Sequence, residues 1–367
     1  MEAILECSEC GTKLTEDSSR IFNGEVFCVN CFEQATTLCD CCGTRIYRDC
    51  AQGNERVSVC DECYDNNYTH CEDCGRLIHN NNAYYEDDSD YPYCHDCYEK
   101  RQDSAIKCYN YKPEPIFFGS GNLFMGVELE IDEGGEDDEN AEALINIANS
   151  TGEHIYCKHD GSIGCGFEIV SHPMTLDYHT SKMNWQKIFA DAVSMDYRSH
   201  QTDTCGLHIH VSRAAFGKNY DEQEDAISRV VYFVENHWNE LLKFSRRTEE
   251  NINRWASRYG ISTTAKDTYK NAKDRHMGRY VAVNLENYAT IEFRMFRGTL
   301  NHKTFIATLQ LVDEICGIAI NMSDKQIEST TWSDFVLRIS PDKKELIEYL
   351  KAKRLYVNEI TEEREEV

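Results

Sequence analysis

No stretch of the 367-residue chain reaches the run of about 18 uninterrupted apolar residues that a membrane-spanning helix requires. Positive charge is also scarce. The 38 lysines and arginines face 64 aspartates and glutamates, and the net charge of −26 repels a phosphate backbone at long range. The two shortages argue against a membrane protein and against nonspecific nucleic-acid binding. The chain opens MEAILECSEC, without the basic and then apolar pattern of an export signal, so a cytoplasmic protein is expected. Walker-A and Rossmann glycine patterns are missing as well, so any nucleotide must be held in another way.

Cysteine, by contrast, is abundant. Of nineteen, fourteen lie between Cys7 and Cys97, mostly in Cys-x-x-Cys pairs, which in a chain without an export signal points to metal over disulfides. The pair Cys7/Cys10 recurs 32 residues later as Cys39/Cys42 and again as Cys71/Cys74. The second pairs follow the same rhythm: Cys28/Cys31, Cys60/Cys63 and, after a two-residue insertion, Cys94/Cys97. Two thiolates spaced in this way fill two vertices of a tetrahedron, and a second pair about twenty residues on closes it. Three structural zinc ions are therefore expected, in modules spanning about 5–34, 37–66 and 69–101. Gly11, Gly43 and Gly75 follow the first pairs, where a knuckle turn favours positive φ, and Phe32, Tyr64 and Tyr98 follow the second. Cys41 competes with Cys42 for the second site, and His70, His79 or His95 could replace a thiolate in the third. The modules resemble LIM-type or treble-clef zinc fingers. Their acidity favours a protein or peptide partner over nucleic acid.

The charge divides evenly about residue 108, with −13 on either side. Lys112-Pro-Glu-Pro115 stiffens a connector at 109–117, a second domain is expected over 118–357, and the acidic residues 358–367 read as a solvated tail. The second domain alternates two kinds of pattern, the mark of an α+β fold. Strands are expected at 123–132, 154–160, 166–172, 205–212, 280–285 and 289–297, and helices at 140–150, 176–196, 221–246, 301–321 and 342–355.

Side chains alternate across a strand, so Glu128 and Glu130 of GVELE share one face and Val127, Leu129 and Ile131 the other. The same holds for His208 and His210 in CGLHIHVS, and for Glu292 and Arg294 in IEFRMFR, with Arg297 near the strand end; Glu168 lies in a fourth strand. Each pattern alone also fits a solvated face. Together they describe a polar, cation-holding wall of the kind used in phosphoryl transfer from ATP. Asp160 is either a base or the first residue of an Asx turn. Arg246, Arg247 and Arg254 stand either within reach of nucleotide or as helix caps. Cys205, Trp238 and Tyr232 read as core.

In the order GVELE, KHDGSIGCGFEIVSHP, CGLHIHVS, RYVAVNLEN and IEFRMFRGT, residues of about 117–322 resemble the carboxylate-amine ligase superfamily of glutamine synthetase and γ-glutamylcysteine ligase, and within it the amidoligase branch found in bacteria, phages and some eukaryotes. The resemblance implies a curved, mainly antiparallel half-barrel sheet with packed helices, and two Mg²⁺ or Mn²⁺ ions bridging ATP. It implies Glu128, His208 and Glu292 around one ion and Glu130 and Glu168 around the other, for which a third acidic ligand is missing from the pattern. His210, Arg294 and Arg297, with Arg279, would contact phosphates or a substrate carboxylate. The activity implied is ATP-dependent amide formation through an acyl phosphate, with the zinc arm recruiting a protein or peptide substrate. A guanidino phosphotransferase and a non-catalytic adaptor are the alternatives.

Overall fold

The computed structural model describes residues 5–54, 57–85, 90–200, 202, 204–274 and 277–356, so the tail expected at 358–367 lies outside the described residues. The chain divides into two compact units, Met1–Asp103 and Ser104–Val367.

The first unit is a tandem of three small modules. Each carries antiparallel two-stranded ladders and ends in a short helix: Val29–Ala35, Asp61–Asn67 and His95–Asp103. The knuckle glycines Gly11, Gly43 and Gly75 have φ of +69°, +73° and +66°, a conformation that an L side chain resists. Apolar burial is slight. Among the described residues the buried apolar cluster of the second module is Cys39, Val59 and Cys63, and that of the third is Cys71, Ile78, Tyr93 and Cys94. Cores this small do not offset chain entropy, so the fold of each module depends on what its cysteines hold.

The second unit is built on a seven-stranded sheet. In chain order its strands are β1 (Ile106–Lys107), β2 (Met125–Ile131), β3 (Ile155–Lys158), β4 (Phe167–Ser171), β5 (Gly206–Ser212), β6 (Val283–Asn284) and β7 (Thr290–Arg297). Their spatial order is β1-β3-β4-β2-β5-β7-β6. The sheet is mixed and open. Only the β1–β3 pairing is parallel; the other five are antiparallel. One face carries Met125, Val127, Leu129, Ile131, Ile169, Leu207, Ile209, Val211, Ile291 and Phe293, all essentially inaccessible, and is covered by helices. Each such side chain contributes about 1.5–3 kcal/mol by burial, so a one-residue slip of register is strongly disfavoured.

Between Leu207 and Ile209 the β5–β7 register shifts: Leu207 pairs with Phe296, and Ile209 with Phe293. The extra residue on β7 is a bulge, and it buries Met295 and Phe296 consecutively. Strict alternation from Arg294 would leave Arg297 on the core face; the bulge reverses the parity.

The helices depart from expectation at identifiable residues. The segment 176–196 forms two helices, Leu176–Ser181 and Trp185–Ser194, because the Asn184 side chain accepts from Lys187 N–H and starts the second afresh. The segment 221–246 breaks at His237, whose ring bonds the Thr330 carbonyl at 3.1 Å. Helices Glu249–Trp255, Ala265–Asp274, Asp324–Ser329 and Trp332–Arg338 were not expected. Among the described residues one helix, His302–Asn321, is long and apolar enough to cross a membrane, and two thirds of it is buried in this core.

Candidate active site

The polar face of the sheet gathers the charged residues named above. In the β2–β4 ladder Glu130 stands opposite Glu168, in β2–β5 Glu128 stands opposite His208, and in β5–β7 His210 stands opposite Glu292. Gly126 lies opposite His210 in the same ladder. His210 Nε2 is 3.2 Å from Glu128 Oε1 and 3.9 Å from Glu292 Oε1. His208 Nδ1 is 3.5 Å from Glu128 Oε2 and 3.7 Å from Glu292 Oε1, and its Nε2 is 3.9 Å from Glu130. Among the described residues these two nitrogens, His208 Nδ1 and His210 Nε2, are buried without a hydrogen-bond partner. Buried polar atoms of this kind normally have a partner, so two lone ones aimed at shared carboxylates suit a cation.

The charge balance points the same way. Four carboxylates meet two fixed cations on these strands: Lys158, which pairs with Glu168 at 3.3 Å, and Arg294, whose Nη1 bonds Glu292 Oε1. Burial works to raise Glu128, but the charge of His210, the close approach of both imidazoles and the nearby Lys158 outweigh it and hold Glu128 well below the usual carboxylate range. Glu292 is likewise lowered: burial raises it, and His210, His208 and Arg294 prevail. Burial and then the charge of Glu128 push Glu168 well above the usual range, despite Lys158. Lys158 is itself raised, since the pull of Glu168 and Glu128 exceeds its burial penalty. Both partners of the pair thus favour carrying a proton, because one lysine cannot neutralise three neighbouring carboxylates. Glu130 is raised by burial, against His208 and the Gly206 amide.

Several residues hold this arrangement without having stood out in the sequence. Asn284 and Asn287 donate to Glu292 Oε2 at 2.9 and 3.3 Å, and His210 Nδ1 lies 3.2 Å from the Thr290 hydroxyl, which leaves Nε2 to face the carboxylates. Both asparagines sit in RYVAVNLEN, and Lys158 opens KHDGSIG, so motif membership is the sequence signal for all three. The Gly206 amide donates to Glu130 Oε2 at 2.5 Å.

The remaining candidates are dispersed. Arg297 lines a small cavity with Arg246 and Arg247, beside the cluster. Burial, opposed by Glu130 and aided by Arg294, Arg297 and Arg246, lowers Arg247 to about 10. Arg279 is exposed and donates to the hydroxyls of Tyr109 and Tyr280 at 2.6 and 3.1 Å, so it is not brought into the cluster. Asp160 forms the Asx turn, accepting from Ser162 N–H at 2.7 Å. Arg254 stacks on Trp255. Cys205, Trp238 and Tyr232 are buried, and burial pushes the Cys205 thiol up to about 12, which suits core and not a nucleophile.

Among the groups that could hold a cation are Glu128/His210/Glu292 and Glu128/Glu168/His208, the ligand atoms of each lying within 4.8 Å of one another. Glu128 is common to both. The three cysteine quartets Cys7/Cys10/Cys28/Cys31, Cys39/Cys42/Cys60/Cys63 and Cys71/Cys74/Cys94/Cys97 also converge. One sulfur pair in each quartet, Cys10/Cys28, Cys42/Cys60 and Cys74/Cys94, is 3.8–3.9 Å apart, near the roughly 3.8 Å that tetrahedral Zn–S bonds of about 2.3 Å require. In the first module, backbone N–H groups of Cys28 and Cys10 lower Cys7 to about 6. Cys42 enters the second quartet; Cys41 instead accepts from Asn67.

No curated protein matches the chain. Residues 146–316 match the family described as "Putative amidoligase enzyme", a span that holds Glu168, His208, His210, Glu292, Arg294 and Arg297, while Glu128 and Glu130 precede it and reach the same cluster through the sheet.

Proposed function

We propose that the second unit is an ATP-dependent carboxylate-amine ligase working through an acyl phosphate. The observation that carries the reading is the pair of buried, unpartnered imidazole nitrogens, His208 Nδ1 and His210 Nε2, facing the carboxylates of Glu128 and Glu292. The family match over residues 146–316 supports a ligase in coarse terms. The finer reading adds ATP, two Mg²⁺ or Mn²⁺ ions and a half-barrel curvature of the sheet.

On this reading Glu128, His210 and Glu292 would hold one ion, and Glu168 and His208, sharing Glu128 and with Glu130 beside them, would hold the other. Divalent ions supply neutralisation of phosphate oxygens and alignment of the reacting groups. The residues of the chain do the rest. Asn284 and Asn287 fix the Glu292 carboxylate, Lys158 steadies Glu168, and Arg294 and Arg297 receive charge that develops on phosphate oxygens. The substrate carboxylate attacks the γ-phosphorus, and the bond from phosphorus to the ADP oxygen breaks. The amine then attacks the acyl carbon, loses a proton, and phosphate departs with the C–O bonding pair. The three cysteine modules, compatible with zinc, are proposed to recruit a protein or peptide substrate.

Hydroxylamine decides the matter, because it intercepts an acyl phosphate as a hydroxamate. ATP turnover that yields hydroxamate supports the ligase. A phosphorylated product without hydroxamate indicates guanidino phosphoryl transfer, and no turnover with a panel of carboxylates and amines indicates an adaptor.

A further inference from the structure

We propose that the cavity lined by Arg246, Arg247 and Arg297 is an oxyanion site, one that takes a phosphate or carboxylate group immediately beside the carboxylate-imidazole cluster. The cavity measures about 70 Å³, a size suited to a single small group, and Thr202, Cys205, Thr248 and Asn251 complete its lining.

Three arginines line this cavity, and no carboxylate is among its lining residues. Among the described residues, no carboxylate oxygen lies within 4.0 Å of any of the three, and Arg247 Nε is buried without a hydrogen-bond partner. Arg246 donates to the carbonyls of Arg297 and Gly298, and Arg247 to that of Phe296 at 3.3 Å. Carbonyls orient a guanidinium but do not neutralise it. Elsewhere in the same unit, partly buried arginines do find acids: Arg213 with Glu224, Arg229 with Asp324 and Arg258 with Glu235, at 2.9–3.3 Å. In a chain with 64 acidic residues and 38 basic ones, a cavity whose lining includes three arginines and no carboxylate runs against composition. Guanidinium forks match the oxygens of phosphate and carboxylate, and an anion there would remove the mutual repulsion.

The position gives the site its use. A Cβ on Gly206 would lie 2.7 Å from both Arg247 Nη2 and His208 Nε2, so one glycine separates the arginines from the candidate cation ligands. The β7 bulge makes this possible by turning Arg297 away from the core. Only the role of the anion rests on the ligase reading: there it is either the phosphoryl group in transit or a carboxylate of the substrate. The binding itself does not depend on that reading.

The test titrates the full chain, with no nucleotide or divalent ion added, against inorganic phosphate and separately against acetate, with ionic strength held constant by chloride. Calorimetry is expected to give millimolar binding of at least one anion, weakened tenfold or more in Arg247→Met. Phosphate alone assigns the pocket to a phosphoryl group, and acetate alone to a substrate carboxylate. Thr248→Asp gives a second decision should Arg247→Met not fold. Aspartate keeps the cap on Asn251 N–H that Thr248 makes at 3.2 Å and brings a carboxylate into the cavity lining, so it is expected to abolish anion binding and raise the unfolding temperature. Absence of binding by both anions, or binding unchanged in both variants, overturns the proposal. Anion binding without hydroxamate formation would retain the pocket and remove the ligase reading; hydroxamate formation without anion binding would do the reverse.

Discussion

Gly206 donates its amide to Glu130 across the β2–β5 ladder, and its missing side chain is what lets the Arg247 guanidinium approach from one side and the His208 ring from the other. The constraint is space, with no positive φ at this residue. Gly206→Ala should therefore cost little stability, about 1 kcal/mol, since the end of Arg247 can swing away. The His208 ring has less freedom. Turnover is expected to fall at least about tenfold while circular dichroism and the unfolding temperature stay near those of the parent protein.

Asn284 is a positioning residue for Glu292, to which it donates at 2.9 Å, and both are buried. Removing such a partner of a metal ligand typically weakens metal affinity about 10–100-fold. Asn284→Ala is expected to weaken Mn²⁺ binding by that factor and to change the unfolding temperature little. An unaltered Mn²⁺ affinity would show that Glu292 needs no orienting donor.

The adjacent Cys41 and Cys42 separate a zinc ligand from a bystander. Native mass spectrometry of the full chain is expected to show three zinc ions in Cys41→Ser and two in Cys42→Ser, because only Cys42 joins Cys39, Cys60 and Cys63. Chelation should unfold the modules and leave the second unit, with its own core, folded.

His179 supplies a pH dependence. It is fully buried, with Nε2 3.0 Å from the Met125 carbonyl and Nδ1 accepting from the Trp185 indole at 3.3 Å, and burial lowers it from 6.5 to about 4. Between these values the unfolded chain binds a proton that the folded chain refuses. Stability is then complete above pH 6.5 and is lost as pH falls towards 4, by on the order of 3 kcal/mol. Urea midpoints at pH 7 and pH 5 capture about 2 kcal/mol of it. The drop should shrink in His179→Gln, and an equal drop in both proteins would assign it elsewhere.

Much of the cluster was legible because strand alternation is a local property. Glu128 with Glu130 and His208 with His210 needed only the period of two, and the six strand segments proposed all contain strands. What joins different segments was not legible. The β7 bulge depends on how Leu207 and Ile209 meet Phe296 and Phe293, and it decides which way Arg297 faces. Lys158 becomes important only because β3 lies beside β4, which puts it opposite Glu168. Arg246 and Arg247 likewise acquire their neighbours from the distant Arg297. The helix breaks at Asn184 and His237 come from capping and a tertiary hydrogen bond that override a continuous amphipathic pattern. Glycine and cysteine spacing carried the first unit almost entirely, because its geometry is dictated by ligand separation and not by packing.

The central claim is that the acid and imidazole groups on one face of the sheet hold divalent cations. Electron paramagnetic resonance of Mn²⁺ titrated into zinc-loaded protein tests this most directly. The account predicts that Mn²⁺ is bound by the parent protein, and that Glu128→Gln, which removes the carboxylate common to Glu128/His210/Glu292 and Glu128/Glu168/His208, weakens binding at least about tenfold with the fold intact. Mn²⁺ binding that is absent from the parent protein, or that is the same in Glu128→Gln, would contradict it.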